Sequence, residues 1–203
     1  LYNGGSGLSY PFGSSTTSYD VSLQQNIVAY WKFDETTGTT AYDSLSNTNL
    51  DIDYNPSIGA TGKINTAFNF YNSSTAILHA NTNDYVEPNG DKFSLSFWMY
   101  LNKLPSAIGN DSYVFLAGLD FSPWISIDVR ISHPQDTLLF RYAGASFNSP
   151  GSIYAYSSLP NDASFKINQW YHIVCVAEGD QKNPTIYVNN SSTYNYIYYG
   201  PQV

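Results

Sequence analysis

The chain has 203 residues, of which only 12% are charged, and a formal net charge of -8. Eight Lys and Arg spread over that length make no basic stripe, so binding to nucleic acid lacks its electrostatic term and anionic membranes offer no attraction. No run of about 18 apolar residues exists to span a bilayer, and a single cysteine, Cys175, excludes an internal disulfide.

The length suits one all-β domain, since sandwiches often run to about 200–250 residues. The 19 Tyr, 11 Phe and 4 Trp favour pleated, half-buried surfaces, hence strands. With so few charges, the surface is dressed in Asn, Ser, Thr and Tyr, which suits sugars as well as water.

Residues 1–22 are rich in Gly, Ser and Thr and are punctuated by Pro11; they are predicted to be a linker, with the domain at 23–203. Short strands with period-2 alternation follow. They are IVAYWKF (27–33), FSLSFWMYL (93–101), WISIDVRI (124–131), WYHIVCVA (170–177) and PTIYVNN (184–190). In 93–101 the residues Phe93, Leu95, Phe97, Met99 and Leu101 share one face. In 124–131 the inward set is Ile125, Ile127, Val129 and Ile131. Nine of the ten prolines lie in or beside the turns between these runs, where a broken ladder does no harm. No stretch carries a helical apolar period. The prediction is an all-β, two-sheet antiparallel jelly-roll sandwich of about a dozen strands.

One hairpin fixes its own register. The run ending at Ile131 is followed by the turn SHPQD and then TLLFRYAG. Inward residues must pair with inward ones, which sets Ile131 opposite Leu138, Val129 opposite Phe140 and Ile127 opposite Tyr142. The outward set then pairs Asp128 with Arg141 and Arg130 with Leu139, so the only two arginines of the sequence share one face beside an aspartate.

Four segments, taken in order, resemble the laminin-G/concanavalin A-like lectin family, particularly its bacterial and phage branch. They are IVAYWKFDETTGTTAYDSLSNTNL (27–50), GKINTAFNF (62–70), NDYVEP (83–88) running into FSLSFWMYL, and INQWYHIVCVAEGDQKNPTIYVNNSS (167–192). Together they cover roughly residues 27–192. The resemblance implies a lectin-like sandwich on an extracellular, bacterial or virion surface, in tail fibres, adhesins or capsid decorations. Residues 1–12 resemble the tail that follows such a domain, and the family's closing strand is not found before Val203. That pattern predicts one copy of a tandem array, with an open sheet edge covered by a neighbouring copy or chain.

For catalysis, glycosidases of this architecture use paired carboxylates at alternate strand positions. Only Glu35, Glu87 and Glu178 are available, and the one near pair, Glu87 with Asp91, spans Pro88 and Gly90. His79, His133 and His172 have no nucleophile elbow beside them, and no Cys/His cluster suggests zinc. Cys175 and His172 read as packed strand residues. The prediction is a protein that is not an enzyme.

Calcium is the cofactor that the first loop suggests, because flexible loops of Asp, Asn and carbonyls supply its hard oxygens. The loop holds Asp34, Thr37, Gly38, Asp43 and Asn47, and the resemblance implies Asp34, Asp43 and Asn47 as ligands; Asp84 is a lesser candidate. The competing reading is that Asp34 and Asp43 only form Asx turns. For glycans, rings and planar polar groups match sugar faces and hydroxyl edges. The candidates are Trp124, Asp128, Arg130 and Arg141, and the Tyr/Asn-rich end Tyr194–Tyr199. Against these stand core packing for Trp124 and Trp98, and an ordinary exposed pair of about 0.2–1 kcal/mol for Asp128–Arg141. Asn-x-Ser sites at Asn72, Asn110, Asn189 and Asn190 matter only in a eukaryotic secretory setting. Two functions follow: a module binding a glycan or host-surface polysaccharide, or a structural spacer of a virion or filament.

Overall fold

A computed structural model describes residues 2–3, 6–7, 26–45, 48–54, 56–70, 77–80, 92–118, 125–142, 153–158, 165–178, 184–192 and 194–199. The chain forms two compact units, residues 1–87 and 88–203.

In the first unit, β1 (Tyr2–Asn3) and β2 (Ser6–Gly7) form an antiparallel pair. β3 (Thr40–Ala41), β4 (Leu50–Asp53) and β7 (Ile77–Ala80) make a three-stranded sheet in that order. Between β4 and β7 the chain makes a hairpin of β5 (Ser57–Thr61) and β6 (Thr66–Asn69). Its turn needs glycine at position 62, where a Cβ would run into the Thr66 carbonyl oxygen. Asn65 closes the turn at φ 48°, and its carbonyl accepts the Gly62 N–H at 3.1 Å.

Residues 27–33, expected to be a strand, are not one. Their one ladder contact is a bridge between Trp31 and Asp43. Phe33 sits at φ 57°, a left-handed conformation that turns the chain out of extended pairing. The Tyr30 N–H goes instead to the Asp43 carboxylate, and Val28 is more than half exposed.

The second unit is a two-sheet antiparallel sandwich. One sheet contains β8 (Lys92–Tyr100), β13 (Trp170–Glu178), β14 (Thr185–Val188) and β15 (Ser191–Ser192), in the order β15-β14-β13-β8. The other contains β9 (Ser112–Gly118), β10 (Ile125–Ser132), β11 (Thr137–Tyr142), β12 (Ile153–Ser158) and β16 (Tyr194–Tyr199), in the order β16-β12-β11-β10-β9. The only helix among the described residues is one turn, α1 (Pro105–Ile108), ended by Gly109 at φ 79°. Sixteen strand segments are described in all, several of them only two residues long, against the dozen expected.

Alternation builds the core. Met99 and Leu101 come from the β8 side, and Tyr171, Ile173, Cys175 and Ala177 from β13. Ile186 and Val188 come from β14, and Val129, Ile131, Leu138 and Phe140 from β10 and β11; all are buried in one cluster. Phe93, Leu95 and Phe97 pack against it. Phe93 and Phe140 meet edge to face with centroids 6.0 Å apart, joining the two sheets. The β10–β11 pairing is the one predicted, including Asp128 opposite Arg141 and Arg130 opposite Leu139. At the end of β14, Asn189 and Asn190 both take positive φ, the two-residue turn that matches strand twist.

Cys175 lies at the centre of the cluster, fully buried, and desolvation raises its thiol from the ordinary range to about 12. Tyr171 is also buried, and its hydroxyl accepts the Lys166 N–H at 2.8 Å, tying the approach to β13 onto the core. Because Phe140 has no exposed surface and bridges the sheets, Phe140→Ala is expected to cost about 4 kcal/mol. Urea unfolding followed by tryptophan fluorescence measures the change.

Candidate functional site

Two places in the fold carry the residues singled out from the sequence, and a third stands out in the structure. The first is the loop after residue 33. Asp43 is buried, at 4% exposure. Its Oδ1 accepts the N–H of Tyr30 at 2.8 Å and of Leu45 at 3.0 Å, and its Oδ2 accepts that of Thr48 at 3.2 Å. This is a carboxylate closing an Asx turn and anchoring a distant strand-like segment, three backbone donors that burial would otherwise leave unpaired. The Asn49 side chain returns the favour by accepting the Asp43 N–H at 3.0 Å, and Trp31 donates its indole N–H to the Thr48 carbonyl at 2.7 Å. Asp34 accepts the Asn65 amide at 3.0 Å, and Glu35 accepts the Tyr42 N–H at 2.9 Å. Asn47 and Asp84 lie outside the described residues. Among the described residues, no group of three or more His, Cys, Asp or Glu gathers as a metal site. A calcium ion drawing on Asp43 must share oxygens that already hold three amides.

The second place is the face of the five-stranded sheet away from the core. A bulge in β9 brings Tyr113 opposite Arg130, which stands opposite Leu139; Leu139 in turn faces Tyr156, and Tyr156 faces Tyr196. The next row runs Leu116, Asp128, Arg141, Tyr154 and Tyr198. Thus the register brings the predicted Asp128, Arg130 and Arg141 together with tyrosine positions of β12 and β16. The face is not open throughout. Leu139, outward by alternation, is buried at 1% exposure, so this row is covered there. The Arg130 side chain is about a quarter exposed, and its Nη1 pairs with Asp111 Oδ2 at 3.2 Å. The other Asp111 oxygen accepts the His133 N–H, fixing the mouth of the β10–β11 turn. Asp136 in the same turn accepts the Ser106 N–H at 2.7 Å and so holds α1 there. Trp124 lies outside the described residues.

The third place was not singled out as a site from the sequence. On the outer face of the four-stranded sheet, Trp98 and Tyr100 of β8 stand opposite His172 and Trp170 of β13. The Trp98 and His172 rings lie 4.9 Å apart at 30°, and those of Tyr100 and Trp170 5.3 Å apart at 55°. His172 Nε2 is 3.0 Å from Ser96 Oγ. Burial holds the imidazole below its ordinary value, which favours its neutral form. The signal for this place was available: an aromatic at the alternate position of each of two runs that pair.

A two-sheet antiparallel sandwich with these faces belongs to the lectin-like class. A laminin-G-like family model, described as the concanavalin A-like lectin/glucanases superfamily, matches residues 71–201, well over half of the chain. The chain is a member of that superfamily, whose name covers both sugar binders and glucan-cleaving enzymes. No curated protein and no solved structure matches it. No helix among the described residues is long and apolar enough to cross a membrane.

Asp43→Ala removes the acceptor of three amides and is expected to destabilise the chain by about 3 kcal/mol in chelator, where no ion contributes. Thermal melts measure it.

Proposed function

We propose that this chain is a non-catalytic recognition module that binds glycans through the outer face of the five-stranded sheet. In this reading it is displayed outside the cell, on a bacterial surface or a phage virion. The observation that carries it is the row pairing Asp128 with Arg141 beside Tyr154 and Tyr198. A guanidinium and a carboxylate offer planar, directional hydrogen bonds to sugar hydroxyls, and aromatic rings suit their C–H faces. Membership in a lectin-containing superfamily and a surface poor in charge support the same class.

The arrangement of the acids supports binding over hydrolysis. One Glu35 oxygen is occupied by the Tyr42 amide, and Glu178 ends β13 opposite Lys92. Hydrolysis needs two carboxyl groups about 5–9.5 Å apart across one bond, and Glu178 has no second acid on its own strand, β13.

One observation favours the spacer reading instead: Arg130 is partly covered and paired with Asp111, a structural use of one of the two guanidiniums. A glycan array with the full chain separates the two. Binding to a defined set of glycans, lost at least tenfold in Asp128→Ala/Arg141→Ala, supports the recognition module. No signal on any glycan, with the chain incorporated in repeated copies into an assembled particle, supports the spacer.

Calcium at Asp34, Asp43 and Asn47 is an accessory part of the proposal, supported by the oxygen-rich loop. Millimolar calcium is then expected to raise the melting temperature of the natural chain and not of Asp34→Ala. No rise in the natural chain removes calcium from the reading.

A further inference from the structure

Tyrosine is concentrated at one end of the five-stranded sheet. β12 carries two of the nineteen tyrosines and β16 four, although each strand has only six residues. Their antiparallel register sets Tyr154 opposite Tyr198 and Tyr156 opposite Tyr196, with Tyr194 opposite Ser158. Alternate positions of a strand share a face. Tyr154, Tyr156, Tyr194, Tyr196 and Tyr198 therefore hold five neighbouring positions on the face that Arg141 shares. Among the described residues no other strand pair sets tyrosine opposite tyrosine. Strand propensity would accept Val, Ile or Thr there as readily. What tyrosine adds is a phenol, which can give up one electron and one proton.

The rest of the chain offers an oxidant no accessible sulfur. Thiols and thioethers are ordinarily its targets when they are exposed, and this chain has one Cys and one Met. Cys175 has no exposed surface, and Met99 is buried in the same core cluster. Burial also withholds the thiolate through which a cysteine reacts. Oxidation then falls on aromatic side chains, and phenols set close together can couple. Spacing decides which of them join. Positions directly opposite are about 4.5–5.5 Å apart at Cβ, closer than the two Cβ carbons of a biphenol joined ortho to ortho allow, whereas diagonal positions, about 7 Å apart, suit that link. The diagonals here are Tyr154 with Tyr196, Tyr156 with Tyr198 and Tyr156 with Tyr194.

We propose that the tyrosine block of β12 and β16 is a site of oxidative modification, where a peroxidase-type one-electron oxidant staples the two strands together through a dityrosine bond. Two phenols each lose one electron and one proton. The radicals join through a carbon–carbon bond between their ortho positions, and the two displaced ring hydrogens move to the oxygens. One hydrogen peroxide takes up the two electrons and two protons and leaves as two waters. The chain between the joined residues includes β13, β14 and β15 of the opposite sheet. A bond across so long a loop restricts the unfolded state as a disulfide does, in a chain whose single cysteine cannot form one within itself.

The test treats the full chain, dilute, with a haem peroxidase and hydrogen peroxide, then digests it with trypsin for mass spectrometry. Cleavage after Lys166 and Lys182 puts β12 and β16 in separate peptides. Their covalent union, two hydrogens lighter than the sum and with the blue emission of dityrosine, is expected in the monomer fraction. Tyr154→Phe/Tyr156→Phe, which keeps the rings and removes the phenols, should lower its yield at least tenfold. Tyr42→Phe/Tyr54→Phe, at two exposed tyrosines of the first unit, should leave it unchanged. The coupled monomer should melt at least about 5 °C higher, and no rise overturns its role as a staple. No linked peptide, or a link found only in dimers, overturns the proposal. A ruthenium tris-bipyridyl photo-oxidant with persulfate repeats the measurement in urea. An equal yield from the unfolded chain also overturns it, because register would then play no part; this arm needs no variant to fold.

Discussion

The second unit depends on one constraint: inward side chains of two antiparallel sheets must meet in a shared dry layer. Phe93 against Phe140 is where this contact is most direct, one ring from each sheet. Around it Ile173 and Ile186 from one side and Val129, Ile131 and Leu138 from the other are fully buried. A slip of one residue in any pairing would exchange these for Ser96, His172 or Arg130. The burial of the core and the composition of both outer faces are therefore set by the same alternation. What each face can bind follows from what the core leaves over.

That dependence explains why so much of this unit could be read from the sequence. The register of β10 and β11 was legible because apolar residues alternate strictly on both sides of a short turn, and only one pairing puts them all together. The strands beginning at Phe93 and Trp170 were legible for the same reason. Residues 27–33 alternate equally well yet form no strand, because pattern does not report backbone geometry at Phe33 or the pull of a carboxylate ten residues further on. The strand Tyr194–Tyr199 was noticed for its tyrosines and not as the edge of a sheet. Its tyrosines at 194, 196 and 198 alternate with Asn195 and Ile197, without the strict apolar face that marks β10 and β11.

The candidate sites were legible to different depths. Pairing of Asp128 with Arg141 follows from register alone. The engagement of Arg130 by Asp111 does not, since it depends on how the chain after α1 returns to the β10–β11 turn. Asp43 was noticed for its oxygens, but which donors they hold is a matter of loop closure. The aromatic strip is not legible in either run alone, because Trp98 and Trp170 belong to runs far apart in the sequence. Its meaning lies in two strands lying side by side.

The position of Cys175 has a consequence for handling the molecule. Its sulfur is sealed between the sheets, and only a thiolate attacks a disulfide or an alkylating reagent. With its ionisation displaced to about 12, the intact sandwich is inert to cross-linking through sulfur, and capture of this thiol becomes an internal clock for the parting of the two layers.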